Sequence, residues 1–138
     1  MNTKLNSNIK LLSMERSEMS FLRTFKFALH GILYMLRTQR NARIHLILAG
    51  LVAIADFIWH LSPPEWCIIV LAIGLVLSAE SFNTAIEKAV DLASPGQHEM
   101  AGIAKDVSAG AVLITAIIAV IAGLIIFVPK LFACITIP

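Results

Sequence analysis

Four polar residues recur at helical spacing between positions 80 and 91, and three of them are acids. They are Glu80, Asn83, Glu87 and Asp91, hereafter the polar stripe. At 3.6 residues per turn, this spacing places the four side chains within a sector of about 80° on one helix. Carboxylates can act as general bases or bind a divalent cation. The polar stripe therefore predicts a site of proton transfer, cation binding or both.

The flanking residues indicate that the stripe runs from the interior of a membrane to its surface. The preceding segment is apolar from Cys67 to Leu77, and Trp66 suits a membrane boundary. Because about 20 residues cross a bilayer, the other boundary is expected near Ala85. Glu80 would lie about 7 Å inside the hydrocarbon, and Glu87 about 10 Å further along, at the surface. An acid inside a membrane costs about 2.5–3.5 kcal/mol, which favours a functional role.

This difference in depth predicts different roles for the two glutamates. A carboxylate withdrawn from water suits general-base catalysis on a lipid hydroxyl, whereas a surface carboxylate suits Mg²⁺ carrying nucleotide phosphates. Lys105 and Asp106 are expected at a similar depth, where Lys105 can neutralise phosphate charge. Asp106 also suits the N-cap of the next helix. Two alternatives stay open: the acids pair with Lys or Arg across an oligomer interface, or Glu87 is simply solvated.

The composition indicates that membrane helices position these residues. Of 138 residues, 58% are hydrophobic and 14% are charged. Soluble domains have about 45–50% apolar residues and about 25% charged residues. Three apolar stretches predict transmembrane helices at about 44–61, 66–92 and 107–128, separated by Ser62-Pro63-Pro64 and by Ser94-Pro95-Gly96 with a loop to Lys105. Small residues at every fourth position of the third stretch predict a close helix contact, at Ala111, Thr115, Ala119 and Gly123.

The N-terminal part is polar and basic. Residues 1–20 predict a poorly ordered polar tail, and residues of about 21–42 an amphipathic helix lying in the membrane surface. Residues 21–138 would form one membrane domain. Eight of the eleven Lys and Arg residues precede position 44, which predicts a cytoplasmic N-terminus and, after three spans, an external C-terminus. The sequence thus predicts an all-α integral membrane protein with one surface helix and three transmembrane helices.

Familiar soluble kinase motifs are missing from the sequence: it has no P-loop, no kinase Gly-rich loop and no His-Arg-Asp catalytic loop. The sequence instead resembles the prokaryotic membrane diacylglycerol kinase family, in its Gram-positive undecaprenol kinase form. The similar segments are Glu80-x-x-Asn83-Thr84-Ala85-Ile86-Glu87-x-x-x-Asp91, His98-Glu99, Ala104-Lys105-Asp106, Ala109-Gly110-Ala111, Phe27-Ala28-Leu29 and Asn41-x-Arg43-Ile44-His45.

The resemblance implies a homotrimer in a bacterial plasma membrane that uses MgATP to phosphorylate a lipid alcohol, undecaprenol before diacylglycerol, with no nucleic-acid partner. It implies that Glu80 is the general base, with Asn83 as a second catalytic residue, and that Glu80 and Ala109 bind the lipid. It implies that Glu87 binds the metal. The nucleotide would be met or flanked by Phe27, Gln39, Glu87, Gly96, Gln97, His98, Lys105 and Asp106.

One position departs from the family pattern. Gln39 stands where the family usually has a second metal-binding Glu. A Gln carbonyl can bind Mg²⁺ but carries no charge. Three consequences are open: weaker ATP binding, an altered metal preference, or an inactive homologue.

A non-enzymatic function is also open at this point. Asp56, Glu80 and Glu87 would suit a proton or cation path through oligomerised helices. Such a conductor does not need Lys105, Asp106 or the acidic loop before them, and these residues favour the kinase.

Overall fold

The computed structural model describes the backbone of residues 2–96 and 98–136, and the side chains of residues 20–55, 58–96 and 98–134. These residues form four helices, and no strand occurs in the described ranges. The helices are α1 (Asn2–Thr38), α2 (Arg40–Trp59), α3 (Pro63–Ala93) and α4 (Glu99–Thr136). The all-α prediction is confirmed.

Helix α1 forms one structural unit that ends at Arg37, and the residues from Thr38 onward form another. The segments predicted as a tail and a surface helix belong to one continuous helix, which ends at Thr38 and not near position 42. The chain has neither Pro nor Gly before Gly31, so no residue there breaks the helix. Several large apolar side chains of α1 are exposed, including Phe21, Phe25 and Phe27.

The connection between α2 and α3 is shorter than predicted, because Pro63 and Pro64 belong to α3 and not to the connection. Helix α2 ends at Trp59, and His60 has a left-handed φ of 47°. Ser62 is the N-cap of α3, and Pro63 and Pro64 lie in its first turn. Proline suits this position because the first backbone N–H groups of a helix have no partner within the helix. The two prolines therefore begin α3, about one turn before the predicted start at position 66.

Helix α4 differs most from its predicted bounds. It begins at Glu99 and not at position 107, so most of the predicted loop is helical and the N-cap role for Asp106 is wrong. An acidic residue in the first turn stabilises a helix N-terminus, and Glu99 supplies it. The helix also continues through Pro129 to Thr136, although a proline in a helix interior removes one backbone hydrogen bond. The predicted break at Ser94-Pro95-Gly96 is confirmed, since α3 ends at Ala93.

Helix α3 packs chiefly against α4, and α2 packs against α3. Leu61, Ile69 and Ile126 form the buried core of this unit. The rings of Trp59 and Phe127 lie beside it, with centroids 5.8 Å apart. On α4, Ala119 and Gly123 line an apolar groove of about 250 Å³. Two of the four small residues predicted to make a close contact therefore border open space in the single chain.

Two helices of the described chain are long and apolar enough to cross a membrane, Pro63–Ala93 and Glu99–Cys134. Many of their large apolar side chains are exposed, such as Leu71 and Ile125. A spanning role for α2 stays a prediction. The side chains of Asp56 and of residues 1–19 in the predicted tail lie outside the described residues.

Candidate active site

Exposure rises along the polar stripe from one end to the other. The relative exposure of Glu80 is 1% and that of Asn83 is 8%. Glu87 is half-buried and Asp91 is exposed. The four residues lie on α3 as their spacing predicts. The stripe is therefore a graded series, with one acid enclosed by protein and the last acid open.

Glu80 is the most enclosed acid, and one of its oxygens lacks a hydrogen bond. No described group donates a hydrogen bond to Glu80 Oε1, which is buried. His45 Nε2, on α2, faces this oxygen at 3.6 Å. That distance is too long for a hydrogen bond. The sequence analysis placed His45 in a family-like segment but did not assign it to the site. The sequence signal that could have identified His45 is its position as a polar residue near the start of the apolar stretch at about 44–61.

Glu87 is held by two amides from different parts of the chain. Asn83 Nδ2 donates to Glu87 Oε1 at 3.2 Å, and Gln39 Nε2 donates to Glu87 Oε2 at 2.9 Å. The structure thus brings Gln39 to Glu87, although they are 48 positions apart. Each carboxylate oxygen has two lone pairs, so both retain capacity to bind a cation.

Asn83 is itself held from α4. The buried hydroxyl of Ser108 donates to Asn83 Oδ1 at 2.7 Å and also lies 2.8 Å from the carbonyl oxygen of Lys105. Ser108 therefore fixes the amide that donates to Glu87. Sequence reasoning missed Ser108, because a lone serine in an apolar helix gives no signal of its partner on another helix.

The open end of the stripe is an ion-pair cluster. Lys105 Nζ lies 2.5 Å from Asp91 Oδ1, and Lys88 Nζ lies 3.7 Å from Asp91 Oδ2. Lys105 is therefore not free to meet phosphate without leaving Asp91. Asp106 is exposed at the next position of α4.

A cavity of about 460 Å³ lies at the connection between α3 and α4. Three of the residues predicted to bind nucleotide line it, namely Gly96, His98 and Lys105. Phe27 is exposed in the separate α1 unit, and Ala109 is exposed on α4. Gln97 lies outside the described residues.

The donor set around Glu87 suits a metal ion that arrives with phosphate. Within the described residues, no group of three or more His, Cys, Asp and Glu side chains converges to hold a metal. The charged oxygen ligand is a single carboxylate, Glu87, to which the amide nitrogens of Asn83 and Gln39 donate. Mg²⁺ is commonly held by one or two carboxylates together with substrate phosphates. The residues present fit that mode and do not form a closed metal cage.

Residues 26–127 match the family described as prokaryotic diacylglycerol kinase. The chain belongs to this family. The match contains every described residue of the site, from Phe27 to Ala109, and it confirms the resemblance inferred from the motifs. With two apolar helices, the chain is a bacterial membrane protein of a lipid kinase family. The ion-conductor alternative is thereby set aside.

Relatives in this family carry two kinds of name. The chain is 46% identical over 117 residues to the undecaprenol kinase of Bacillus subtilis, covering 84% of this chain and 95% of that protein. It is 42% identical over 116 residues to a diacylglycerol kinase of Synechocystis, covering 83% of this chain and 66% of that protein. A diacylglycerol kinase of Escherichia coli is 43% identical over 54 residues, which are 39% of this chain and 44% of that protein.

Proposed function

We propose that the chain is a lipid kinase that transfers the γ-phosphoryl group of ATP to a membrane lipid alcohol, with undecaprenol as the preferred acceptor and diacylglycerol as the second. The observation that carries the proposal is the graded stripe on α3, in which an enclosed acid precedes a half-buried acid by two helical turns. The relative named undecaprenol kinase, which aligns over most of both chains, supports the choice of acceptor.

Glu80 is the general base in this proposal. Its carboxylate accepts the proton of the lipid hydroxyl as that oxygen attacks the γ-phosphorus, while the bond from phosphorus to the bridging oxygen of ADP breaks. The burial of Glu80 keeps water from solvating the base, and the lone pair on Oε1 that no described group engages supports this role. A base of this kind has to be enclosed by apolar residues, since its substrate arrives from the lipid.

Glu87 would hold Mg²⁺ together with the nucleotide, and Gln39 would contribute its amide oxygen once its side chain had turned away from the hydrogen bond to Glu87. When bound, the ion would neutralise charge on the transferred phosphoryl group and its neighbour. Asn83 keeps Glu87 in place through the hydrogen bond it already donates. Because Gln39 is neutral, we expect ATP binding weaker than in relatives that have a carboxylate at this position.

The nucleotide phosphates lie toward the cavity between α3 and α4. Lys105 exchanges its ion pair with Asp91 for a phosphate oxygen, and His98, Gly96 and Gln97 border the nucleotide. An exposed ion pair is weak in water, so this exchange is not costly. Asp106 completes the nucleotide environment, and Ala109 borders the lipid. A nucleotide contact for Phe27 is expected only from the family resemblance.

The membrane arrangement is also part of the proposal. Helix α2 also crosses the membrane, as the first of three spans in chain order. The N-terminus is cytoplasmic, the C-terminus is outside, and three copies associate. The support for association is the apolar groove, whose small lining residues Ala119 and Gly123 permit the close approach of a helix from another copy. The number of copies follows only from the family resemblance.

The test is phosphoryl transfer by the purified protein in detergent micelles. Undecaprenol and diacylglycerol are offered separately with Mg²⁺ and ATP labelled at the γ-phosphate, and labelled lipid is extracted and counted. We expect label in both lipids, with a higher kcat/KM for undecaprenol. Absence of labelled lipid with both acceptors overturns the proposed kinase. A higher kcat/KM for diacylglycerol overturns only the acceptor assignment.

A further inference from the structure

One buried oxygen in the site has no partner in the described chain. Glu80 Oε1 is enclosed, and no described donor reaches it within hydrogen-bond distance. Buried carboxylate oxygens are normally hydrogen-bonded, and each exception calls for an explanation. The nitrogen that faces this oxygen is His45 Nε2, at 3.6 Å.

The surroundings of His45 leave its side chain few other polar contacts. The imidazole is largely covered, with a relative side-chain exposure of 20%. It lies at the edge of the apolar groove, and the other residues that line this groove are aliphatic, glycine or phenylalanine. Hydrogen bonds are stronger in such an environment than in water, because water does not compete for the donor. A donor at this position is therefore well placed to act on Glu80.

The register of α2 against α3 makes the His45 contact part of a pattern. Gln39, just before α2, donates to Glu87, and His45, in the second turn of α2, faces Glu80. The two helices run antiparallel, so the start of α2 follows the stripe from its half-buried acid to its enclosed acid. Each of the two acids thus has a nitrogen-bearing side chain from the start of α2 beside it.

We propose that His45 is a positioning residue for Glu80, and this rests on the proposed role of Glu80 as the base. The Nε2–H of His45 donates to one lone pair of Oε1 and holds the carboxylate in place, which leaves the other lone pair of that oxygen to accept the lipid proton. The gap of 3.6 Å closes by about 0.6 Å when substrate binds. Hydrogen bonds in enzyme sites are often long before substrate arrives and shorten in the complex.

The first test compares His45→Leu with His45→Gln. The Gln side chain restores a donor near the position of Nε2, whereas Leu only fills the space. We expect His45→Leu to lower kcat on the order of 10- to 100-fold with the KM for MgATP unchanged, because a misplaced base slows the chemical step. We expect His45→Gln to remain within about threefold of the parent kcat, since a neutral hydrogen bond is restored.

Two further variants separate this inference from the proposed function. Leu48→Ala is a control, because it changes the lining of the same groove but removes no hydrogen-bond donor. We expect the kcat of this variant to equal that of the parent. In a Glu80→Gln background, His45→Leu should lower residual activity no further, because the two residues act as a unit. Full activity of Glu80→Gln overturns the base assignment. Loss of activity in Glu80→Gln with parent-like kcat in His45→Leu overturns only the role of His45, as does equal loss in His45→Leu and His45→Gln.

A spectroscopic measurement covers the case in which His45→Leu does not fold. The chain has four histidines, so ¹⁵N-histidine labelling gives a spectrum simple enough to assign. With the lipid alcohol bound and ATP absent, we expect the His45 Nε2 resonance to shift in Glu80→Gln and to stay unchanged in Glu65→Gln, a matched change elsewhere on α3. An unchanged His45 resonance in Glu80→Gln overturns the proposal.

Discussion

Glu65 and Glu80 are acids on the same helix, yet their surroundings differ. Glu65 accepts hydrogen bonds from the backbone N–H of Ser62 at 2.7 Å and the Ser62 hydroxyl at 2.8 Å, and Lys130 Nζ lies 3.1 Å away. Glu80 is far more buried, but its Oε1 has no described donor. All three donors act on Glu65 Oε2, and together they tie the start of α3 to α4. Glu80 keeps a free lone pair, as a base requires.

The burial of a carboxylate and the number of its hydrogen-bond donors together decide its role. A carboxylate whose donors are present stabilises the fold, because its bonds offset the loss of water. A carboxylate that is enclosed and incompletely bonded carries a cost, which is retained in evolution where the group has a chemical task. Variants at Glu65 and Glu80 should therefore affect different properties.

The largest expected effect is that of Glu80→Gln. Removal of the base should lower lipid phosphorylation by about 10²–10⁴-fold, while an amide of the same shape leaves the fold intact. Initial rates with labelled ATP measure the loss, and thermal unfolding checks the fold. The matched control is Glu65→Gln, which should keep its kcat and unfold at a lower temperature. The reverse outcome, with loss of activity in the control alone, would invalidate the comparison.

The next effect concerns Glu87. Glu87→Gln removes the charge proposed to bind the cation, so the KM for MgATP should rise by about tenfold or more. The KM for the lipid should change little, because Glu80 is untouched. Steady-state rates at varied MgATP and then at varied lipid separate the two constants. An equal rise in both would argue against a specific metal role.

Gln39→Glu should change the KM for MgATP less than Glu87→Gln does, and in the opposite direction. It replaces the hydrogen bond from Gln39 Nε2 to Glu87 with a pair of like charges, which repel unless a cation lies between them. The KM for MgATP should fall by about threefold to tenfold. The unfolding temperature should fall without Mg²⁺ and recover when Mg²⁺ is added. A titration with Mg²⁺ followed by differential scanning fluorimetry measures this change. A stability that does not depend on Mg²⁺ would contradict the assignment of this pair to the metal.

The smallest expected effect is that of Ser108→Ala. The change leaves the carbonyl oxygen of Asn83 without the donor that the structure gives it, and the loss should destabilise the fold by about 1–3 kcal/mol. Activity should fall only severalfold, because Asn83 can still reach Glu87. Chemical denaturation and initial rates measure the two effects. Thr115→Ala is the control, since its hydroxyl bonds to carbonyls of its own helix, and it should change both quantities less.

Features that depend on local sequence were predicted well. The periodicity of the polar stripe placed four side chains on one face of α3, because the pitch of a helix is fixed by its own backbone. Ser94-Pro95-Gly96 ended that helix as predicted. The bounds of α4 were wrong because the polar residues after Glu99 were interpreted as a loop, and polarity does not exclude a helix that reaches beyond the membrane. The tail and the surface helix were separated for the same reason.

The sequence by itself therefore determined the membrane class, the acidic face of α3 and the family. Only the tertiary structure decided which side chains meet that face. Gln39 reaches Glu87, His45 faces Glu80 and Ser108 holds Asn83. The physical reason is that contacts between helices depend on their register and packing, which no single periodicity encodes. The structure accordingly gave the first two acids of the stripe different partners: two amides donate to Glu87, whereas one oxygen of Glu80 has no described donor.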